Sequence, residues 1–246
     1  KVCQYGAISI IDGKAVVDRS KCTACSACIN TCPKGIIELL PKDIREVVFD
    51  LYIIYFDNGA TTFPKPDSVI YAVEKFIRET GGNPSRSSHK LSRAAGEEVY
   101  KAREAVCKLL HFDTPENIVF TYNATYALNM AIKSMIREKC HIICSDIEHN
   151  SVIRPINALR ERLGVEYSIF DSNISPDISI PPLIRADTRF IISTLSSNVT
   201  GKEIDLSLLS KVANEYSLRL IIDASQSAGH KEIDVSKCTC DALCAP

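Results

Sequence analysis

The sequence predicts an α/β fold, built on a mostly parallel sheet and preceded by a small cysteine-rich segment. Beyond residue 55, short runs that are apolar throughout alternate with amphipathic stretches. Strands of this kind, separated by helices, are typical of a parallel sheet that is covered on both faces. Before residue 42 the composition is different, because five of the 11 cysteines fall before residue 33. These observations predict two structural regions within the 246 residues.

Each element follows from a local pattern. The apolar stretches 7–11 and 14–18 flank Asp12-Gly13, which is a strong signal for a β-hairpin. Residues 43–54 carry no motif and are predicted to be a linker. The predicted helices cover residues 68–79, 94–110, 126–137, 152–163 and 206–216. The predicted strands cover residues 118–122, 141–145, 167–170, 189–194 and 219–223.

Charge and hydropathy exclude several classes of protein. Lys and Arg total 29 and Asp and Glu total 30, so the net charge of −1 gives no basic surface for nucleic acid or an anionic membrane. The longest apolar run, 47–56, contains Asp50 and is about half of the ~20 residues that a membrane helix needs. We therefore expect neither nucleic-acid binding nor a membrane span, and an odd number of cysteines argues against a disulfide framework.

The cysteines of residues 21–35, KCTACSACINTCPKG, have the spacing C-x2-C-x2-C-x3-C-P. In this pattern Cys22, Cys25 and Cys28 bind one iron–sulfur cluster, and Cys32 ligates the other cluster of two-cluster ferredoxins. Cys3 is the nearby candidate for the fourth ligand of the first cluster. Structural zinc usually takes two cysteine pairs separated by a longer loop, so iron–sulfur binding is favoured. A remnant that holds no metal stays open as the alternative.

Residues 1–42 resemble bacterial ferredoxin domains and, more narrowly, the ferredoxin region of the B subunit of Rnf-type electron-transport complexes. The cysteine spacing is the specific part of this likeness. The resemblance implies one-electron transfer through [4Fe–4S] clusters and a redox partner for this segment.

Polar clusters after residue 55 fall where the predicted strands end or the predicted helices begin. In open α/β sheets, ligands bind outside the carboxyl ends of the strands, and the start of a helix offers free N–H groups to a phosphate. These clusters therefore predict a ligand site at one edge of the sheet. They cover residues 57–62, 83–89, 121–125, 148–151, 197–201 and 221–226.

Taken in order, these clusters resemble the class V aminotransferase superfamily, and specifically cysteine desulfurases, over residues 55–246. The resemblance implies the large domain of the aspartate-aminotransferase type fold and pyridoxal 5′-phosphate (PLP) as cofactor. His149 matches the histidine that stacks on the pyridine ring and takes part in acid–base steps. Asp223 matches the acid that pairs with the pyridinium nitrogen. Gln226 matches the residue that bonds the phenolic oxygen of the ring.

The remaining family positions are carried over in the same way. Ala124 and Thr125 match the phosphate-binding turn, and Asn198 lies where a family asparagine approaches the cofactor. The stretches 58–62 and 83–89 match segments near the substrate end of the pocket.

The resemblance also implies two groups that are not expected in this chain. These are the lysine that forms the Schiff base with PLP and the mobile-loop cysteine that becomes a persulfide. In the family both follow a segment like 241–246. Lys231 and Lys237 are therefore not assigned to the first role, and Cys238, Cys240 and Cys244 are interpreted as strand and turn cysteines.

We therefore expect part of a ferredoxin–cysteine desulfurase fusion, truncated at both ends and inactive alone. The full-length protein would remove sulfur from L-cysteine, giving alanine and an enzyme persulfide. The alternatives are an electron-transfer protein with a non-catalytic PLP-fold remnant, a selenocysteine lyase, or a junction of two neighbouring genes. The resemblance further implies a homodimer and a sulfur acceptor or iron–sulfur assembly protein as partner. It also implies a cytoplasmic location, with association with a membrane complex through the ferredoxin segment as the alternative.

Overall fold

The computed structural model describes residues 6–11, 14–18, 20–21, 55–86 and 88–246, and the chain divides into the units Lys1–Asn58 and Gly59–Pro246. In the first unit, strand β1 (Ile8–Ile11) pairs antiparallel with β2 (Lys14–Val17), and Ile11 lies opposite Lys14. The predicted hairpin is therefore confirmed. The linker 43–54 and the five predicted cluster cysteines lie outside the described residues.

The second unit is built on a parallel sheet of five strands, as the sequence predicts. Its strands are β3 (His141–Ser145), β4 (Glu166–Phe170), β5 (Thr188–Thr194), β6 (Arg219–Asp223) and β7 (Ala242–Cys244). They lie in the order β4-β3-β5-β6-β7, and every neighbouring pair is parallel. The chain adds β4 on one side of β3 and then β5 on the other, so the direction of winding switches between β3 and β5. Such a switch point opens a crevice at the carboxyl ends of the strands.

Helices precede and connect these strands, and four of the described helices begin with a side-chain cap. They are α1 (Asp67–Lys75), followed by a π-helical turn (Phe76–Thr80), α2 (Lys90–Leu110), α3 (Ala124–Met135), α4 (Asn150–Leu163), the short α5 (Pro176–Ser179) and α6 (Leu206–Glu215). Asn123, His149 and Asp205 each accept a hydrogen bond from a backbone N–H in the first turn of α3, α4 and α6. Gly164 ends α4 with a φ of +71°, a conformation that glycine adopts without strain.

The sheet has a hydrophobic core on each face because alternate strand residues point to opposite sides. On one face Ile142 and Ile192 pack with α3 and α4, through residues such as Ile132 and Ile156. On the other face Ile143, Ile191 and Ile222 pack with α6 through Leu209 and Val212. Burial on both faces is the physical reason why the centres of β3, β5 and β6 are apolar.

One predicted strand, 118–122, is wrong. The segment has no regular secondary structure, and Val119 and Phe120 are 61% and 52% exposed. Its apolar composition suits a strand, but a strand also needs a partner for its backbone groups, and no described strand pairs with it. Conversely, β7 was not predicted, because three residues are too few for a periodic signal. Across the described ranges, no helix has the length and hydropathy needed to cross a membrane.

Candidate active site

A cavity of about 140 Å³ lies at the carboxyl end of the sheet. All six residues predicted to bind a cofactor line it, namely Ala124, Thr125, His149, Asn198, Asp223 and Gln226. Ser151 and Ser225, which also line it, belong to the predicted polar clusters 148–151 and 221–226, whereas the sequence reasoning missed Ile147, Thr194 and Ser196. Each of these three ends a strand or follows one closely, so strand-end position was the signal that could have found them.

Two helices begin at this cavity. Thr125 lies in the first turn of α3 and Ser151 in the first turn of α4, and their hydroxyl oxygens are 2.7 Å apart. The first N–H groups of a helix have no partner within the helix and carry partial positive charge. Two such termini with two hydroxyl groups between them form a site suited to an anion such as a phosphate.

The orientation of His149 is fixed by its own helix. Its Nδ1 accepts a hydrogen bond from the Ser151 N–H at 3.1 Å and lies 2.9 Å from the Ser151 hydroxyl oxygen. With Nδ1 acting as acceptor, the neutral imidazole carries its proton on Nε2. The ring is thereby held at the wall of the cavity in one tautomer.

Asp223 brings a buried negative charge to the cavity. It ends β6, is only 2% exposed, and its Oδ1 accepts hydrogen bonds from the N–H and the hydroxyl group of Ser225 at 2.9 and 2.5 Å. Hydrogen bonds to the ionised form stabilise it. A carboxylate held in this way is matched to a cationic group of a ligand.

The loop residues of the site are placed by their own turns. Gln226 follows Asp223 closely, and a side chain at Gly59 would come 3.6 Å from its Oε1, so Gly59 borders the site. Asn198 lies in a turn in which the Ser197 carbonyl oxygen accepts a hydrogen bond from the Gly201 N–H at 3.0 Å. The described residues of the 83–89 stretch do not line the cavity. His89 caps α2 there, accepting a hydrogen bond from the Ser92 N–H.

Behind the cavity wall lies Glu148, a carboxyl group that the sequence reasoning did not single out. Its Oε1 accepts hydrogen bonds from the Ser145 hydroxyl group and, at 2.8 Å, from the Thr194 N–H. Burial, reinforced by the nearby charge of Asp223, raises the pKa of Glu148 to about 8.

The cysteines of the second unit have no metal site in the described part of the chain. No group of three His, Cys, Asp or Glu side chains converges there, and Cys238, Cys240 and Cys244 are free thiols. Cys244 lies in β7, and burial raises its pKa to about 12, which keeps it a thiol. Neither a lysine nor a cysteine occurs among the described residues that line the cavity.

Comparison with protein families identifies two matches along the chain. Residues 54–246 match the family described as aminotransferase class V. Residues 15–38 match the 4Fe-4S binding domain, which includes Cys22, Cys25, Cys28 and Cys32 but not Cys3. PLP and an iron–sulfur cluster, the two cofactors expected from the sequence, are thus the cofactors of the two matched families.

The curated relatives and solved structures are similar to the second unit. A probable cysteine desulfurase of Borreliella burgdorferi is 33% identical over 219 residues, which are 84% of this chain and 51% of the relative. The cysteine desulfurase IscS of Dictyoglomus turgidum is 33% identical over 198 residues, 77% of this chain and 49% of that protein. The apo structure of the cysteine desulfurase from Thermococcus onnurineus has a TM-score of 0.71 at 26% identity, covering 85% of this chain and 53% of that one.

A further solved structure, SspA in complex with cysteine, has a TM-score of 0.72 at 28% identity and covers 78% of this chain and 56% of that one. The chain spans about half the length of the curated relatives that it matches. The match over residues 54–246 covers most of the chain, and its relatives are named cysteine desulfurases. The chain belongs to the class V aminotransferase family, and a 4Fe-4S binding domain precedes the aminotransferase part.

Proposed function

We propose that this chain provides the PLP-binding half of a cysteine desulfurase, and that the full-length protein converts L-cysteine to alanine and an enzyme persulfide. One observation carries the proposal. A single cavity combines the buried carboxylate of Asp223 with the hydroxyl pair of Thr125 and Ser151 at two helix N-termini. The ligand that would fill it should therefore carry an anionic group and a cationic group, which PLP has as its phosphate and its protonated ring nitrogen.

The residues of this cavity fit PLP. The hydroxyl groups of Thr125 and Ser151 and the first N–H groups of α3 would bind the phosphate, because the Ser151 N–H already donates to His149 Nδ1. Asp223 would hold a proton on the ring nitrogen, because a buried carboxylate stabilises the cation beside it. When bound, PLP serves as an electron sink for bonds to the α carbon of the substrate.

The side chains around the ring have distinct roles in the proposal. His149 would lie against the ring, held in place by its contact with Ser151, and its Nε2 proton would be available to the substrate. Gln226 would donate from its amide to the ring oxygen, and Asn198 would approach the cofactor from its turn.

The chemistry beyond cofactor binding needs groups that the cavity of this chain does not supply. No lysine or cysteine lines it within the described ranges, so this chain alone should not release sulfur from cysteine. L-Cysteine is proposed as the substrate because the relatives are named cysteine desulfurases and one similar structure is in complex with cysteine. A sulfur acceptor or iron–sulfur assembly protein and a second copy of the full-length chain are the proposed partners.

For the N-terminal part we infer a ferredoxin-type segment over residues 1–42, a linker over 43–54 and the aminotransferase domain over 55–246. The 4Fe-4S match over residues 15–38 and the division of the chain near residue 58 support this arrangement. Cys22, Cys25 and Cys28 with Cys3 would hold one cluster, and Cys32 would be free for a second. This segment would pass single electrons to or from a redox partner.

The proposal is tested by titrating the anaerobically purified chain with PLP and following the absorbance of the cofactor. We expect saturable binding that is competed by inorganic phosphate and weakened in Asp223→Asn. Iron and sulfide analysis of the same sample tests the cluster separately. Failure to bind PLP would overturn the desulfurase assignment, and iron without PLP binding would favour the electron-transfer protein with a non-catalytic PLP-fold remnant.

A further inference from the structure

Glu148 links the ends of the two strands that flank the switch point of the sheet. Its Oε1 accepts hydrogen bonds from the hydroxyl group of Ser145, the last residue of β3, and from the N–H of Thr194, the last residue of β5. The next residue after Glu148 is His149. The turn that carries the imidazole is therefore tied to both strands through one carboxyl oxygen.

The second carboxyl oxygen of Glu148 has no such partner. Glu148 is half-buried as a residue, but its Oε2 is shielded from solvent and has no hydrogen-bond partner among the described residues. None of the ion pairs in the described part of the chain includes Glu148. A buried carboxylate with hydrogen bonds to only one of its oxygens is costly, whereas burial of the neutral carboxylic acid costs much less.

The groups around Glu148 increase this cost. The carboxyl group of Asp223 on β6 adds to the effect of burial in raising the pKa of Glu148. In the same way Glu148 adds to the effect of burial in raising the pKa of the Cys144 thiol on β3. The hydroxyl group of Thr194 donates to the backbone oxygens of Ser196 and Asp223, so it does not donate to Glu148. Two carboxyl groups at close range favour a state in which only one is ionised.

The hydrogen bonds decide which carboxyl group carries the charge. Oδ1 of Asp223 accepts two hydrogen bonds from Ser225, and Asp223 lines the cavity, where a cation can approach it. Glu148 lies behind the wall with one oxygen unpaired. The negative charge therefore belongs on Asp223 and the proton on Glu148.

We propose that Glu148 is a positioning residue, which as a neutral carboxylic acid fixes the turn carrying His149 and leaves Asp223 as the single anion of the cavity wall. Its raised pKa of about 8 agrees with this assignment. The link to PLP rests on the proposed function, but the protonation state and the positioning of His149 do not. Ionisation of Glu148 at alkaline pH would add a second charge beside Asp223 and weaken the turn.

The test compares wild type with Glu148→Gln and Glu148→Ala, with Glu161→Gln on the exposed side of α4 as the matched control. Glutamine imitates the neutral acid, so Glu148→Gln should unfold at the same urea concentration as wild type near pH 4, where the carboxyl group is mainly protonated in both the folded and the unfolded chain. Because the unfolded chain loses this proton near pH 4.5 and the folded chain near 8, stability in wild type should fall relative to Glu148→Gln between these values. Glu161→Gln should follow wild type throughout.

Two spectroscopic measurements complete the test. An infrared band of a protonated carboxylic acid should be present in wild type at pH 7, absent from Glu148→Gln, and lost above about pH 8. The ring signal of His149 in NMR should shift in Glu148→Ala and be restored in Glu148→Gln. For PLP, Glu148→Gln should bind within about threefold of wild type at pH 7 and several-fold more tightly at pH 9.

Parallel pH profiles of wild type and Glu148→Gln, or a wild type without the acid band, would overturn the proposal. If Glu148→Ala does not fold, the glutamine variant and the infrared band still decide it. If no variant binds PLP, the proposed function fails, while the stability profile and the acid band still decide the state of Glu148.

Discussion

The two ends of the parallel sheet each bury an ionisable side chain, but the two side chains differ in how completely they are hydrogen-bonded. At the amino end, His141 of β3 is fully buried, with Nδ1 2.8 Å from the Thr188 hydroxyl oxygen and Nε2 2.9 Å from that of Ser168. These contacts join β3 to β5 and β4. At the carboxyl end, Glu148 joins β3 to β5 through one oxygen and leaves the other unpaired.

The difference separates a structural polar group from one that belongs to a site. Both ring nitrogens of His141 have hydroxyl partners, so burial simply favours the neutral ring, and its pKa lies below the ordinary value. At the carboxyl end Asp223 faces the cavity, where it suits a cationic ligand, and Glu148 lies behind it with one carboxyl oxygen unpaired. A fully satisfied cluster stabilises the fold, whereas a partly satisfied one at a strand end indicates binding.

Removing the histidine should have the largest effect on the fold. We expect His141→Ala to lower the free energy of unfolding by about 2–4 kcal/mol, since it removes two buried hydrogen bonds and leaves a cavity. Urea unfolding measures this. His230→Ala, an exposed histidine, is the control and should change stability by less than about 0.5 kcal/mol. Equal effects of the two variants would contradict the structural role of His141.

At the opposite end, Asp223→Asn should weaken PLP binding by about 10- to 100-fold while stability changes little. The loss corresponds to about 1.5–3 kcal/mol for a hydrogen bond to a charged group. Titration with PLP measures it. Asp177→Asn, an exposed acid on α5, is the control and should bind as wild type does. An unchanged affinity in Asp223→Asn would remove the carboxylate from the proposed site.

The two ends should also give pH dependences of opposite sign. The pKa of His141 is lowered by burial from 6.5, so the unfolded chain takes up this proton first and stability falls as the pH drops below about 6.5. Between pH 7 and 5 the unfolding midpoint of wild type should fall relative to that of His141→Gln. The same slope in both proteins would show that His141 does not cause the loss. The contribution of Glu148 has the opposite sign, because its stabilising effect is lost as the pH rises.

The smallest effect is expected at the hydroxyl pair. Thr125→Val removes one hydroxyl group and keeps the shape, so PLP should bind about 2- to 10-fold more weakly, from the net value of one hydrogen bond. Ser134→Ala, at the far end of the same helix, is the matched control. If both variants bind alike, the phosphate does not lie at the start of α3.

The sequence predicted those strands that are recognisable from their own residue pattern. The strands 141–145 and 219–223 were predicted with their observed bounds, because burial on both faces favours apolar residues at the centre of each strand. The segment 118–122 was wrong because pairing depends on a partner far away in the chain. Residue types at strand ends likewise found Asp223 and His149, whose predicted roles stay predictions.

Glu148 shows why the rest of the site could not be predicted. In the sequence it is one acid beside a histidine, which is the usual composition of a solvated turn. Its importance comes from Thr194, 46 residues away, and from the charge of Asp223, which approach it only when three strands lie side by side. Burial and electrostatic coupling of this kind are properties of the folded chain, and local pattern carries no signal for them.

The strand order also has a consequence for how the molecule assembles. β3, α4 and β4 are contiguous in the chain and neighbours in the sheet, so this unit can close on itself as soon as residue 170 is available. The next three strands then add one after another on the opposite side of β3, in the order in which they are synthesised. Each addition pairs segments that lie far apart in the chain, which makes it slower than local helix formation. The crevice between β3 and β5 therefore forms only once β5 has docked beside β3.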